Sequence, residues 1–221
     1  MQNSKPITQY RQELKGKILK EALHKFCNYG IKNVKMDTIA HDLSISKRTL
    51  YELYTDKESL LIECVKYIHT LFKQNLDKFV SKNGDNVIKI LVDAFQFQLQ
   101  LQEKITYSFH TDLQKYKTVL KYFDDLHKSE MQKALNFFQK GVEQGYFRDN
   151  INYELSMLIF DQNKKTVIVK KLYDEYGMNA IFNSMVLVII RGFCTVKGVT
   201  ALDEELNKMK KGELPFDPID F

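Results

Sequence analysis

Met36-Asp-Thr-Ile-Ala-His-Asp-Leu-Ser-Ile-Ser-Lys-Arg-Thr-Leu-Tyr-Glu-Leu-Tyr54 is the stretch on which the fold turns. Met36, Ile39, Ala40 and Leu43 fall at i, i+3, i+4 and i+7, one apolar face of a short amphipathic helix. Ser44-Ile45-Ser46 interrupts the pattern. Ser46 suits the cap of a second short helix, Lys47 to Tyr54, because its hydroxyl accepts from a free amide of the first turn. Leu50, Leu53 and Tyr54 face inward there. Two short helices joined by a three-residue turn, packed on a longer helix before them, form a helix-turn-helix. Ala40 lets the two helices cross closely, and Ile45 closes the small core from the turn.

The pattern extends outward on both sides. Before it, Leu14, Ile18, Ala22 and Phe26 recur at four-residue steps over Arg11 to Tyr29, with Leu19 and Leu23 beside them. Gly30 then fits a C-cap in the left-handed region. After it, Asp56 caps a helix carrying Leu60, Leu61, Val65, Ile68 and Phe72 and running to about Val80. Ser81 to Asp85 is a turn. Beyond it the periodicity predicts helices at about 85–103, 106–117, 119–144, 152–174, 178–196 and 201–211, with Gly145, Gly177 and Gly198 near their ends. Thr166–Val169 and Met185–Ile190 look strand-like in composition. They lie inside long proline-free segments without flanking turns, so they read as buried helix faces. Residues 1–9 read as a loose arm, and the tail from Leu214 as non-helical.

Composition supports an all-α chain. Of 221 residues 44% are apolar, enough for a sizeable core, and 12% are aromatic, which excludes a disordered class. Only 9 Gly and 3 Pro are present, with no Pro between residues 7 and 214, so turn-rich β and α/β folds are disfavoured. The longest strictly apolar run, Met185 to Ile190, is far short of the ~20 residues of a membrane span. The first residues lack the apolar stretch of a signal peptide. Cys27, Cys64 and Cys194, odd in number and scattered, suit free thiols in a reducing cytoplasm.

The net charge of +5 is uneven: residues 1–60 hold 11 Lys/Arg against 7 Asp/Glu, which favours a polyanionic partner at that end. The predominance of Lys among the basic residues fits a genomic base bias equally well. The second short helix presents Ser46, Lys47, Arg48 and Thr49 at its leading end, the part of such a helix that enters a major groove. Arg48 has a planar fork that matches both acceptors of guanine, and Thr49 suits a thymine methyl or a phosphate. Tyr51, Tyr54 and Lys57 suit the sugar-phosphate backbone. Nothing points to catalysis. There is no His-Glu-x-x-His, Walker loop or Gly-x-Ser-x-Gly. His24 and Cys27 stand one turn apart with no second pair, so no metal and no cofactor is expected.

The chain here resembles the TetR family of bacterial transcription regulators. The likeness spans Gly30 to Leu61 and rests on Gly30, Ile39-Ala40, Ile45-Ser46, Thr49-Leu50-Tyr51, Tyr54 and Lys57-Glu58-Ser59-Leu60, all in register. Three positions depart from the family pattern. Ser44 replaces the turn glycine and is expected to be left-handed, Lys35 replaces a capping hydroxyl but still suits a phosphate, and Arg48 stands where many members have glycine.

The resemblance implies an N-terminal three-helix DNA-binding domain (1–56) followed by a larger helical-bundle domain (57–221) for ligand binding and dimerisation. It implies a homodimer joined through the last two long helices, acting as a ligand-responsive repressor on a palindromic double-stranded DNA operator, with no membrane association. The DNA-binding residues are then Lys35, Ser46, Lys47, Arg48, Thr49, Tyr51, Tyr54 and Lys57. Phe72, Phe95, Tyr107, His110, Phe123, Phe138 and Phe160, with Phe97, are candidates to line the cavity of an unknown small-molecule effector, or to be ordinary bundle core. Phe137 to Arg148 looks like the Gly-x-x-x-Gly end of the family's seventh helix, and Arg191-Gly192 looks similarly placed. Phe182, Met185, Val186 and Ile189 read as core or dimer seam. An all-helical protein–protein adaptor is the rival reading, and a helical enzyme a distant third.

Overall fold

Leu14, Ile18, Ala22, Leu23 and Phe26 lie along one face of α1 (Gln9–Tyr29) and are buried, as their spacing requires. The computed structural model describes residues 9–209, so the arm before them and the tail after them lie outside the described residues. α2 (Met36–Asp42), α3 (Lys47–Leu53) and α4 (Lys57–Asn83) complete the N-terminal unit. α5 (Val87–Glu103), α6 (Tyr107–Leu113), α7 (Lys117–Glu143), α8 (Tyr153–Val169) and α9 (Leu172–Ile181) follow. A π-helical segment, Phe182–Leu187, leads into α10 (Val188–Phe193), and α11 (Val196–Met209) ends the described chain. No strand occurs among the described residues; Phe147 and Cys194 form one isolated antiparallel bridge. The protein is all-α.

Capping chemistry sets the element boundaries of the N-terminal unit. Asp56 and Ser59 form a reciprocal capping box at the start of α4. Lys35 precedes α2 without a side-chain cap. Ser44 takes φ 53, a left-handed conformation that costs a non-glycine residue ~1–2 kcal/mol. It is stabilised by the turn it makes: the Ile45 amide donates to the Ala40 carbonyl at 2.9 Å. Ile39, Ala40 and Leu50 are almost fully buried where α2 and α3 meet. Burial of an Ile or Leu contributes ~1.5–3 kcal/mol each, enough to hold helices of seven residues that would not persist alone.

Two hydrophobic cores organise the chain. The first joins the α1–α4 residues to Phe97, Leu101, Ile105, Phe109, Leu113 and Val119, so α5, α6 and the start of α7 pack onto the N-terminal unit. The second gathers Val87, Ile88, Val92, Phe147, Ile190, Cys194 and Leu202 at the far end. All three cysteines are buried and free, and burial pushes the Cys27 thiol up to about 12.

The C-terminal half departs from its periodicity in three places. The helix expected over 152–174 stops at Val169, because Lys170 ends it and Lys171 turns left-handed at φ 56. The helix expected over 178–196 starts early, kinks at Gly177, passes through the π-helical segment and stops at Phe193. The last helix starts at Val196, not 201, and Gly198 lies inside its first turn. A Cβ at Gly198 would sit 2.1 Å from the Tyr146 carbonyl oxygen, so the glycine there marks a close approach of backbones and not a helix end. The stripe Phe182, Met185, Val186, Ile189 turns inward in part: Phe182 packs edge-on to Phe95 at 5.9 Å and Val186 joins the second core. Val188 faces out instead.

Candidate nucleic-acid interface

The leading end of α3 is built from the rear outward. Leu50 is fully buried in the first core and fixes the helix beside α2, which turns Lys47, Arg48 and Tyr51 to solvent. Ser46 Oγ accepts from the Thr49 amide at 3.0 Å and lies 2.8 Å from the Thr49 hydroxyl. One free amide of the helix start is thereby satisfied, and the two hydroxyls hold each other. Lys47 Nζ donates to Asp37 Oδ2 at 2.5 Å, and Arg48 Nε donates to Glu52 Oε1 at 2.9 Å. The hydrogen bond from Lys47 to Asp37 raises the Lys47 pKa, so it stays charged. The Arg48 side chain is 88% exposed and the Lys47 side chain 67%, so both ion pairs stand open to water. Lys35 is exposed at the start of α2.

Two predicted residues are placed otherwise. Tyr54 is 6% exposed and belongs to the first core. Its hydroxyl reaches only the Lys15 carbonyl at 3.4 Å, and burial pushes its pKa up to about 12. The ring that was expected on the sugar-phosphate backbone is a core ring, because α3 ends at Leu53 and the chain turns Tyr54 under α1. Lys57 points inward as well. Its ammonium donates to the Ile31 carbonyl at 2.8 Å and the Val34 carbonyl at 3.0 Å, and burial lowers its pKa. It straps the α1–α2 loop to the start of α4 instead of reaching outward.

The end of α1 and that loop are also bonded to the start of α6 and to α6 itself, which no local pattern announces. The Thr106 amide donates to the Cys27 carbonyl at 2.8 Å, and the Lys32 amide donates to Asp112 Oδ2 at 2.7 Å across 80 residues of sequence. Gly30, at φ 78, sits so close to α6 that a Cβ there would lie 2.8 Å from the Ser108 Cβ. Asp112 is 7% exposed.

The seven aromatic and histidine residues considered for an effector site fall into separate packing groups. Phe72 packs on Phe97, Phe95 on Phe182, and Phe138 stacks on Tyr153 at 4.6 Å. Phe160 lies under Lys164, and Phe123 is exposed. Tyr107 and His110 share α6 and face the end of α8 and the start of α9. An open surface cleft at Val142, Phe147, Arg148 and Thr195 touches none of the seven.

Residues 18–64 match the family model described as bacterial regulatory proteins, tetR family. The match takes in the second half of α1, all of α2 and α3 and the start of α4. The whole fold is similar to solved regulators of that kind. A putative transcriptional regulator from Saccharomonospora viridis in complex with choline has TM-score 0.63 and 18% identity over 83% of this chain and 99% of that one. A putative TetR-family regulator from Rhodococcus sp. has TM-score 0.59 and 14% identity over 80% and 97%. The ketosteroid transcriptional regulator KstR2 of Mycobacterium tuberculosis has TM-score 0.56 and 16% identity over 88% and 97%. At such identities the likeness is one of fold. No curated protein matches the chain. Within the matched residues α2 and α3 are the two short helices on either side of the turn at Ser44. Among the described residues no helix is long and apolar enough to cross a membrane, and no group of three His, Cys, Asp or Glu is placed to hold a metal ion.

Proposed function

We propose that the protein is a sequence-specific, ligand-responsive transcription repressor that acts as a homodimer on a palindromic operator. The observation that carries the reading is the leading end of α3: Leu50 anchors it from behind while Lys47 and Arg48 stand in solvent. Arg48 is the base-reading residue. Lys35, Lys47, Thr49 and Tyr51 take the phosphate backbone, and Ser46 sets the helix start. Tyr54 and Lys57 act from inside by holding α3 and the α1–α2 loop in place. The functional boundary falls between residues 56 and 57, where α4 leaves the reading unit.

Support for the dimer comes from large apolar side chains left exposed on α8 and α10. Leu155, Leu158 and Ile159 on α8 are each about half exposed, at 52%, 48% and 53%, and Val188 on α10 is 60% exposed. Apolar side chains clustered this way on a monomer mark an interaction surface. Leu155, Leu158 and Ile159 share α8, and Val188 opens α10, both within the segments expected to form the seam. Two reading helices related by a two-fold axis then meet successive major grooves about 34–36 Å apart. Ligand response is supported by the bonds from α6 to the α1–α2 loop, which tie the ligand domain to the reader, and by similar structures described with choline and with resorcinol. A ligand favours release only by its differential affinity for the two forms.

Selection of bound duplexes from a random pool tests this reading. A palindromic consensus is expected. Arg48→Ala should lose about 1–3 kcal/mol of discrimination at one base pair of each half-site. Lys47→Ala should weaken all sequences alike and lower the salt slope by about one, whereas Lys57→Gln should lower thermal stability and leave that slope unchanged. Recovery of no consensus would sink the reading in favour of a helical adaptor.

A further inference from the structure

The cations on the exposed face of α3 each have a carboxylate beside them, and those at the start of α1 do not. Lys47 is held by Asp37 and Arg48 by Glu52, while Lys25 further along α1 takes Asp42 and Glu21. Between Gln9 and Lys20 the chain carries Arg11, Lys15, Lys17 and Lys20 against one acid, Glu13. Glu13 accepts from the Gln9 side-chain amide at 3.1 Å. Among the described residues neither Arg11 nor Lys15 is ion-paired. Arg11 is exposed and Lys15 half-buried.

Lys15 sets this edge of α1 beside the trailing end of α3. The helix ends at Leu53, and Tyr54, which follows it, turns its hydroxyl to the Lys15 carbonyl at 3.4 Å. The Lys15 ammonium in turn stands 5.3 Å from the centre of the Tyr54 ring. A ring face attracts a cation without neutralising it, so the charge is positioned there and not cancelled. Arg11 lies one turn nearer the start of α1 on the same face, with Cβ atoms about 5–6 Å apart at that spacing. Nothing stands within 4 Å of the place a Cβ would take at Gly16, so the neighbouring surface of α1 is open.

α3 has seven residues, a length of about 10 Å. The major groove is about 12 Å wide. A helix of that length set into the groove has one backbone strand near its leading end and the other near its trailing end. Lys47 serves the first strand. We infer that Arg11 and Lys15 grip phosphates of the second, and so add two contacts to the sequence-independent hold on DNA. The inference rests on the DNA-reading function proposed above and gives it a second contact surface, on α1. Lys47 must leave Asp37 before it takes a phosphate, whereas Arg11 and Lys15 have no carboxylate to leave.

Fluorescence anisotropy of the full chain, with the duplex recovered by selection and with a scrambled one, tests this across a salt series. Lys15→Met keeps an apolar stem over Tyr54 and removes the charge. Arg11→Gln removes the other charge at an exposed position. Each should lower the slope of log K against log salt by about 0.9, and the double variant by about 1.8. That slope corresponds to about fivefold weaker binding per residue near 0.15 M salt, equal for both duplexes and fading toward 1 M. The melting temperature of Arg11→Gln should match that of the parent. A Lys15 that only packs on Tyr54 would instead lower the melting temperature of Lys15→Met and leave the slope alone. If Lys15→Met does not fold, Arg11→Gln decides. Slopes unchanged in the variants, or a loss confined to one of the two duplexes, would overturn the inference. A parent that tells the duplexes apart while the variants keep its slope removes these contacts alone. A parent that binds both duplexes equally, with the slope still falling in the variants, leaves the contacts standing and removes sequence reading. A parent that binds neither duplex removes both.

Discussion

Asp112→Ala removes the carboxylate that bonds α6 to the reading unit, and its cost follows from the geometry. Oδ2 accepts from the Lys32 amide at 2.7 Å, and Oδ1 accepts from Lys115 Nζ at 2.8 Å. The Lys115 side chain is 61% exposed, so that arm contributes ~0–1 kcal/mol. The Lys32 arm is a charge-assisted bond to a buried acceptor, worth about 1.5–3 kcal/mol, and its loss leaves an amide without its acceptor. The sum is about 1.5–4 kcal/mol, which for a chain of this length lowers the melting temperature by about 3–16 °C. Burial on its own would push the Asp112 carboxyl up. The hydrogen bonds from Lys115 and the Lys32 amide outweigh it and hold the pKa below its ordinary value of 3.8. A depressed carboxyl stabilises the fold above its unfolded pKa, so the gap between parent and variant persists above pH 3.8 and closes as pH falls through the lower folded value. Thermal melts across that range, with hydrogen exchange at the Lys32 amide, make the measurement. Melting within about 1 °C of the parent at pH 7, or unchanged protection of that amide, would refute the reasoning.

Three further outcomes follow from the same contacts. Gly30→Ala places a Cβ 2.8 Å from the Ser108 Cβ at φ 78 and should cost at least the ~1–2 kcal/mol of the left-handed backbone, read as a lowered melting temperature. Glu52→Gln releases Arg48 from its neighbour at 2.9 Å and should raise duplex affinity several-fold at low salt, with a shrinking gain as salt rises; an unchanged affinity would remove Arg48 from the interface. Leu158→Asp puts a charge on the exposed α8 stripe and should convert dimer to monomer in sedimentation without loss of helical content, whereas a parent that is monomeric at micromolar concentration would remove that face as a seam.

The helix-turn-helix was legible because its signals are local. Ile39, Ala40 and Leu50 announce their burial by spacing, Ser46 and Asp56 announce the caps, and Ser44 takes the left-handed turn that the glycine-like position demanded. Roles that depend on distant chain were not legible. Lys57 sits in register within the Lys-Glu-x-Leu pattern, yet its ammonium is spent on carbonyls 23 and 26 residues away. Asp112 had no sequence signal at all, since its partner amide lies 80 residues back. The C-terminal helices depart from their periodicity for a different reason. Val-rich and Ile-rich segments carry a helical period, and Gly177, left-handed at φ 76, falls near the break that its glycine suggested, but Lys171, left-handed at φ 56, is a residue type that does not announce a break.

On the proposed function, the exposed face of α3 has a charge balance that bears on how specificity would arise. Lys47 is matched by Asp37 and Arg48 by Glu52, while Lys25 on α1 takes Asp42. In the free protein this face is therefore close to neutral, although the N-terminal region as a whole is basic. A random duplex supplies phosphates everywhere, but it offers Arg48 no better partner than the carboxylate already beside it. Only a base edge with two acceptors in the plane of the guanidinium improves on Glu52. The paired carboxylates thus weaken sequence-independent attraction more than the base contact, and the ratio between specific and non-specific binding widens at the expense of total affinity. A reading helix stripped of Asp37 and Glu52 would hold any DNA more tightly and tell one sequence from another less well.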